Sequence, residues 1–208
     1  MDSTRYRVCP WMTSLLGSII VAVALVPASS HAQFLFRQVN LSYLTRRADV
    51  IVHGRVVGVQ YEPLPGYEHV PTVRVTLEVD RMLRGPETRQ YTFRQMMPFL
   101  RPQGGKQRYA FGQELLLFLP SPSQNGLSSP LAHEQGTFHI SRDSRGRALI
   151  SNEFNNRGLF KDVSSDADQE GFPIPETQLQ LTETATGPVE LEGFVSLVKS
   201  LAVLPRIK

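Results

Sequence analysis

The chain has 208 residues, 41% of them hydrophobic and 20% charged, with a formal net charge of +3. This is ordinary globular composition and excludes an intrinsically disordered chain. The single cysteine, Cys9, lies ahead of the first apolar run, so the chain beyond that run has no thiol nucleophile, CxxC redox pair, disulfide or thiolate zinc site.

Residues 1–32 have the order of a secretory signal peptide. Arg5 and Arg7 precede an apolar run from Leu15 to Val26, and Ser30 and Ala32 occupy the −3 and −1 positions of a cut. The run is shorter than the roughly 20 residues a membrane-spanning helix needs. A removed leader is therefore expected rather than a retained anchor. Cleavage after Ala32 leaves 176 of the 208 residues, enough for one domain with its own core. The expected destination is extracytoplasmic, either the periplasm or the exterior.

A short helix is expected next, capped by Ser42 and burying Leu41, Leu44 and Ala48. Val50 to Tyr61 is a valine-rich strand. Val50 and Val52 share one parity and Val57 and Val59 the other, with Gly54 and Gly58 between them. That pattern predicts a bulge or bend inside the strand. A Pro/Gly loop is expected over 62–71. Residues 72–82 then alternate, with Val73, Val75, Leu77 and Val79 inward and Arg74, Thr76, Glu78 and Asp80 outward. A turn at 83–87 leads to a strand over 89–95 with Tyr91 and Phe93 inward. Residues 96–108 read as an exposed loop mixing Met, Phe and Leu with basic residues. Leu115–Leu119 is a strand buried on both faces, and a Pro/Ser loop follows over 120–130. Segments 135–141 and 148–152 pair as a hairpin, with Gly146 available for positive φ. Residues 155–187 read as an irregular acidic loop. An amphipathic helix over 188–203 presents Leu191, Phe194, Val195, Val198 and Leu201 to the body of the domain.

The predicted fold is mainly β: a small antiparallel Greek-key barrel of the OB type over 33–154, with a short N-terminal helix and a C-terminal amphipathic helix. The run Ala48-Asp49-Val50-Ile51-Val52-His53-Gly54-Arg55-Val56-Val57 resembles the opening of netrin-like modules, among them the N-terminal domain of tissue inhibitors of metalloproteinases. The turn Met82-Leu83-Arg84-Gly85-Pro86-Glu87 and the strand Gly112-Gln113-Glu114-Leu115-Leu116-Leu117-Phe118 extend the likeness over about residues 41–120. The start also resembles bacterial secreted proteins of unassigned function that share an RADxIVxGxV opening. The inhibitory members of the family chelate protease zinc through an N-terminal cysteine. This chain would begin Gln33-Phe34-Leu35 after cleavage, so that activity is not implied.

No nucleophile elbow, phosphate-binding loop or dinucleotide fingerprint occurs. Glu78 and Asp80 are a candidate carboxylate pair, and Asp166, Asp168 and Glu170 before Gly171 resemble half of a calcium loop without its closing acid. His133, Glu134 and His139 fit no zinc spacing, and His139 and His53 are expected on strand faces. No metal, cofactor or catalytic residue is therefore expected. Residues 55–108 carry nine basic against five acidic side chains, whereas 151–192 carry two against nine. Together these features point to a non-catalytic extracytoplasmic binding module. Its contacts would be made by Arg74, Arg94, Phe99, Arg101, Lys106 and Arg108, and its partner would be an extracytoplasmic protein or an anionic ligand rather than nucleic acid. The alternatives are an exported hydrolase with an unrecognised active site and a structural envelope protein.

Overall fold

One long strand organises the molecule, for which the computed structural model describes residues 37–97 and 108–207. β1 (Val50–Leu64) pairs along its whole length with β2 (Tyr67–Arg84) and, over its first part, with β4 (Glu114–Leu119) on its other edge. β3 (Gln90–Met96) extends the sheet beyond β2. On the other side follow β5 (Thr137–Arg142), β6 (Ala148–Asn152) and the two-residue β7 (Val189–Glu190). The order is β3-β2-β1-β4-β5-β6-β7, and all pairings are antiparallel.

The mainly β, antiparallel character agrees with the sequence, but the expected closure into a barrel is not made. Among the described residues the one backbone bridge from β3 to the chain beyond β4 is the isolated parallel bridge between Arg94 and Leu127. The sheet instead buries both faces separately. On one face Val52, Val56, Val73, Val75, Leu77, Phe93, Leu115 and Leu117 pack around Tyr109. Ile51, Leu116, Phe118, Phe138 and Ile150 carry the helices on the other. Strict alternation in β4 feeds both cores, which explains its unbroken apolar sequence.

Four helices cover that second face: α1 (Leu41–Arg47), α2 (Val163–Gln169), α3 (Glu176–Thr182) and α4 (Leu191–Leu201). In α4 the five residues of the predicted stripe are buried, and Leu197 with them. In α1 the expected apolar residues are buried, but the cap is Asn40, whose side chain accepts the Tyr43 N–H. Ser42 instead lies on the buried side of the first turn, and its hydroxyl has no hydrogen-bond partner among the described residues. Residues 155–187 are not irregular throughout, since α2 and α3 form there. α2 buries only Val163 and Ala167, and α3 buries none of its residues, which left no periodic apolar signal to read. The expected loop over 62–71 is likewise an extension of the β1–β2 hairpin, closed at Gly66 with φ +80°.

The parity switch in β1 is real and lies at a bulge. Val56 opposes Leu77, but Gly58 opposes Thr76, so Val57 is extra. A second irregularity lies on β2. His53 opposes Arg81 and Gly54 opposes Val79, leaving Asp80 without an opposite residue. Glycine is required at 54 because a Cβ there would stand 2.3 Å from the Glu78 carbonyl oxygen. At Gly58 a Cβ would meet only the Thr76 side chain at 3.4 Å. Gly54→Ala is therefore expected to cost about 2 kcal/mol or more, whereas Gly58→Ala stays within about 1 kcal/mol of the parent. Urea unfolding of the two variants checks the contrast.

Candidate functional site

The bulge at Asp80 brings together side chains that the sequence keeps apart. His53 lies two residues beyond Ile51, and Glu114 two residues before Leu116, so both project on the helix-bearing face. They are diagonal neighbours across the β1–β4 ladder, with His53 Nε2 2.9 Å from Glu114 Oε1. Asp80 Oδ2 reaches to 4.0 Å from the same Nε2. Arg81, beside it, turns toward α4 and forms a bidentate pair with Glu192, both N···O distances being 2.6 Å. A bulge re-aims side chains in this way because it adds one residue to one strand only.

The burial of the three groups is graded. His53 is 3% exposed, and the side chains of Glu114 and Asp80 are 14% and 48% exposed. The cluster is a floor of imidazole, a wall of glutamate and a half-exposed aspartate at the mouth. The second oxygen of Glu114, Oε2, faces Arg55 Nη2 at 3.6 Å and Arg142 Nη2 at 3.8 Å. Arg81 holds the Glu192 carboxyl below the usual carboxylate range, and Glu192 in turn raises Arg81. Among the described residues this is the one grouping of His, Asp and Glu whose ligand atoms all lie within 4.8 Å of one another.

The residues assigned to recognition fall in three places. Arg74 and Arg94 oppose each other across β2 and β3. Both contact Glu62 Oε1, Arg74 through Nε at 3.1 Å and Arg94 through Nη2 at 2.8 Å. Arg108 is paired with Glu134. Phe99, Arg101 and Lys106 lie outside the described residues. Met97 packs partly against the core around Tyr109, and Met96 is 59% exposed.

The other candidates separate. Glu78 and Asp80 do not act as a pair, because the bulge turns Asp80 toward His53 while Glu78 stays in the ladder opposite Arg55. Asp166 and Asp168 sit on a helix, where alternate residues diverge by about 200° and cannot encircle a calcium ion. Asp166 accepts from Asn40 Nδ2 at 2.9 Å and Glu170 from Arg46 Nη2 at 2.6 Å. A groove of about 440 Å³ beside the start of α1 is lined by Asn40, Tyr43, Lys161 and Asp166, and the Asn40–Asp166 bond lies in it. His139 is not grouped with His133; it is half-buried on β5 and bonded to Gln113. Sequence reasoning missed the His53 cluster. Its one visible signal was the pair Asp80-Arg81, which breaks the polar–apolar alternation after Val79.

No protein-family model, curated protein or solved structure matches the chain.

The tautomer of His139 follows from its partner. Gln113 Oε1 accepts the Ala110 N–H at 3.1 Å, so the amide nitrogen faces His139 Nδ1 at 2.8 Å and donates to it. Nδ1 is then unprotonated. Burial lowers the pKa of this imidazole below its ordinary value. The stability it contributes is complete above the unfolded value of about 6.5 and is lost as pH falls through the lower folded value. NMR titration is expected to place His139 below the ordinary imidazole value of about 6.5, with Gln113→Glu moving it upward.

Proposed function

We propose that the protein is an exported, non-catalytic binding module that takes an anionic partner at the β1–β2–β3 end of its sheet. The observation that carries this reading is Glu62, where one carboxylate serves two guanidiniums, those of Arg74 and Arg94. Arg94 also donates to Thr72 Oγ1 at 3.3 Å, and Thr72 donates to the Glu62 carbonyl at 2.7 Å. The cationic surplus is thus held on a rigid ladder rather than on a free loop, which favours specific recognition over diffuse attraction. Exposed Met96 stands at the end of the same strand. It leads into the segment whose Phe99, Arg101 and Lys106 supply further cationic and aromatic contacts in this reading. Export rests on the Arg5–Ala32 leader pattern.

The scaffold in this reading is an opened OB-type barrel related to netrin-like modules. The order β3-β2-β1-β4-β5 supports it, as do the bulged first strand and the bridge from Arg94 on β3 to Leu127 in the connection between β4 and β5. An OB-type sheet commonly recognises ligands on a strand face and its flanking loops.

The test is salt elution from a sulfated-polysaccharide resin. Arg74→Ala combined with Arg94→Ala is expected to elute at lower salt than the parent. Glu62→Gln, which removes the compensating charge and keeps both arginines, is expected to elute at higher salt. Alanine at Phe99, Arg101, Lys106 and Arg108 lowers elution further if the segment contributes. Identical elution of the Glu62 and arginine variants overturns the reading.

A further inference from the structure

We propose that His53, Asp80 and Glu114 bind one divalent transition-metal cation, with zinc as the working probe. The donor set is one imidazole nitrogen and two carboxylate oxygens, a mixture suited to zinc and neighbouring first-row ions rather than to calcium or magnesium. Three strands supply it, one residue from each of β1, β2 and β4, so the ligands are carried by the most continuous part of the sheet.

The spacing is right for a shared ion. Ligand atoms about 2.1 Å from a tetrahedral centre stand about 3.4 Å apart. The distances from His53 Nε2 to its two carboxylate partners are 2.9 and 4.0 Å. The first opens slightly and the second closes by a rotamer adjustment of Asp80, whose side chain is 48% exposed. Solvent reaches the cluster on the Asp80 side, which leaves coordination positions for water.

Two independent features separate this cluster from a chance ion pair. The first is the buried imidazole. Its Nε2 is aimed at both carboxylates from a ring that is only 3% exposed. A polar ring at that point of a valine-rich strand is expensive if its only role is packing. The second is the neutralisation of the competing cations. Glu192 engages Arg81 bidentately, and His53 is the only ion-pair partner of Asp80 among the described residues. Arg55 and Arg142 lie on Glu114 Oε2, which leaves Oε1 facing the imidazole. Both guanidiniums are half-exposed, and they orient the carboxylate without occupying the ion's place.

Isothermal titration of the metal-free full chain with zinc chloride tests the site, with thermal unfolding followed in parallel. One ion per chain is expected to bind, and its binding raises the unfolding temperature of the parent. Asp80→Asn and Glu114→Gln are each expected to weaken binding at least about tenfold and to abolish the thermal shift. Asp80 is at the surface, so Asp80→Asn retains the fold, and circular dichroism of that variant checks this. Glu78→Gln, two residues away on the same strand, is expected to bind as the parent does. In the long-range nitrogen–proton NMR spectrum, zinc moves Nε2 of His53 and leaves His69 in place. Absence of stoichiometric binding overturns the proposal. So does binding indifferent to Asp80→Asn and Glu114→Gln, or binding lost equally in Glu78→Gln.

Discussion

The approach of β1 to the Glu78 carbonyl at Gly54 is the constraint on which the rest of this structure depends. β1 is paired on both edges where it carries Gly54, so it cannot swing away from β2 to accommodate a side chain. With Cβ absent, the two backbones close, and β2 takes up its extra residue at Asp80. The insertion at Asp80 changes the parity of β2, and a second shift follows at Leu83, which stands between Met82 opposite Val52 and Arg84 opposite Ile51. Val73, Val75 and Leu77 face the Tyr109 core before it, and Met82 packs on that core after it, while Leu83 turns to the helices. The charged cluster on the helix-bearing face lies at this close approach of the two backbones.

The helices are fastened to this sheet by charge as well as by apolar area. Arg84 Nη1 donates to the carbonyls of Thr45 and Ala48 at the end of α1, and its Nη2 donates to Ala202 at the end of α4. A guanidinium there meets the negative ends of two helix dipoles at once. Burial lowers the Arg84 pKa, and Arg206 nearby lowers it further; an arginine remains charged all the same. The uneven charge along the chain finds its explanation in such contacts. Arg46 pairs with Glu170 and Arg81 with Glu192, so basic residues of the first half are balanced by acidic residues of the second. Asp49 and Glu192 both have carboxyl groups held below the ordinary range, by Arg206 and Arg81 respectively. Their contributions are complete above the unfolded carboxylate value of about 4 and fade as pH falls through the folded values. Being largely exposed, each pair is worth at most about 1 kcal/mol.

The elements legible in the sequence are those whose signal is local. The alternation of Val73 to Val79 and the stripe of α4 each reflect one element meeting one core, the five apolar residues of β4 reflect a strand between two, and Gly146 marks its own turn. Closure and bulge position are properties of pairing, and a single strand does not carry them. The valine parity switch located a defect in β1 without telling which partner strand would absorb its neighbour at Asp80. α2 and α3 went unread for a different reason. Seven-residue helices bounded by Pro173, Pro175 and Gly171, with two buried side chains between them, lack the length over which a period of 3.6 can be distinguished.

His53 was legible as a strand residue and illegible as a site. Read along β1, it is one polar side chain among valines, and the economical expectation is a partner in the core. In the structure its partners come from β2 and β4, 27 and 61 positions away, and its second ring nitrogen has no partner among the described residues. An aliphatic side chain at that position would bury the same surface without leaving a nitrogen orphaned, a difference worth about 1–3 kcal/mol. A fold that gains its stability from tightly alternating apolar strands has little reason to accept that cost at its most constrained point. The bulge that Gly54 permits sets two carboxylates on the Nε2 side of that ring. The backbone defect and the misplaced histidine are then one feature.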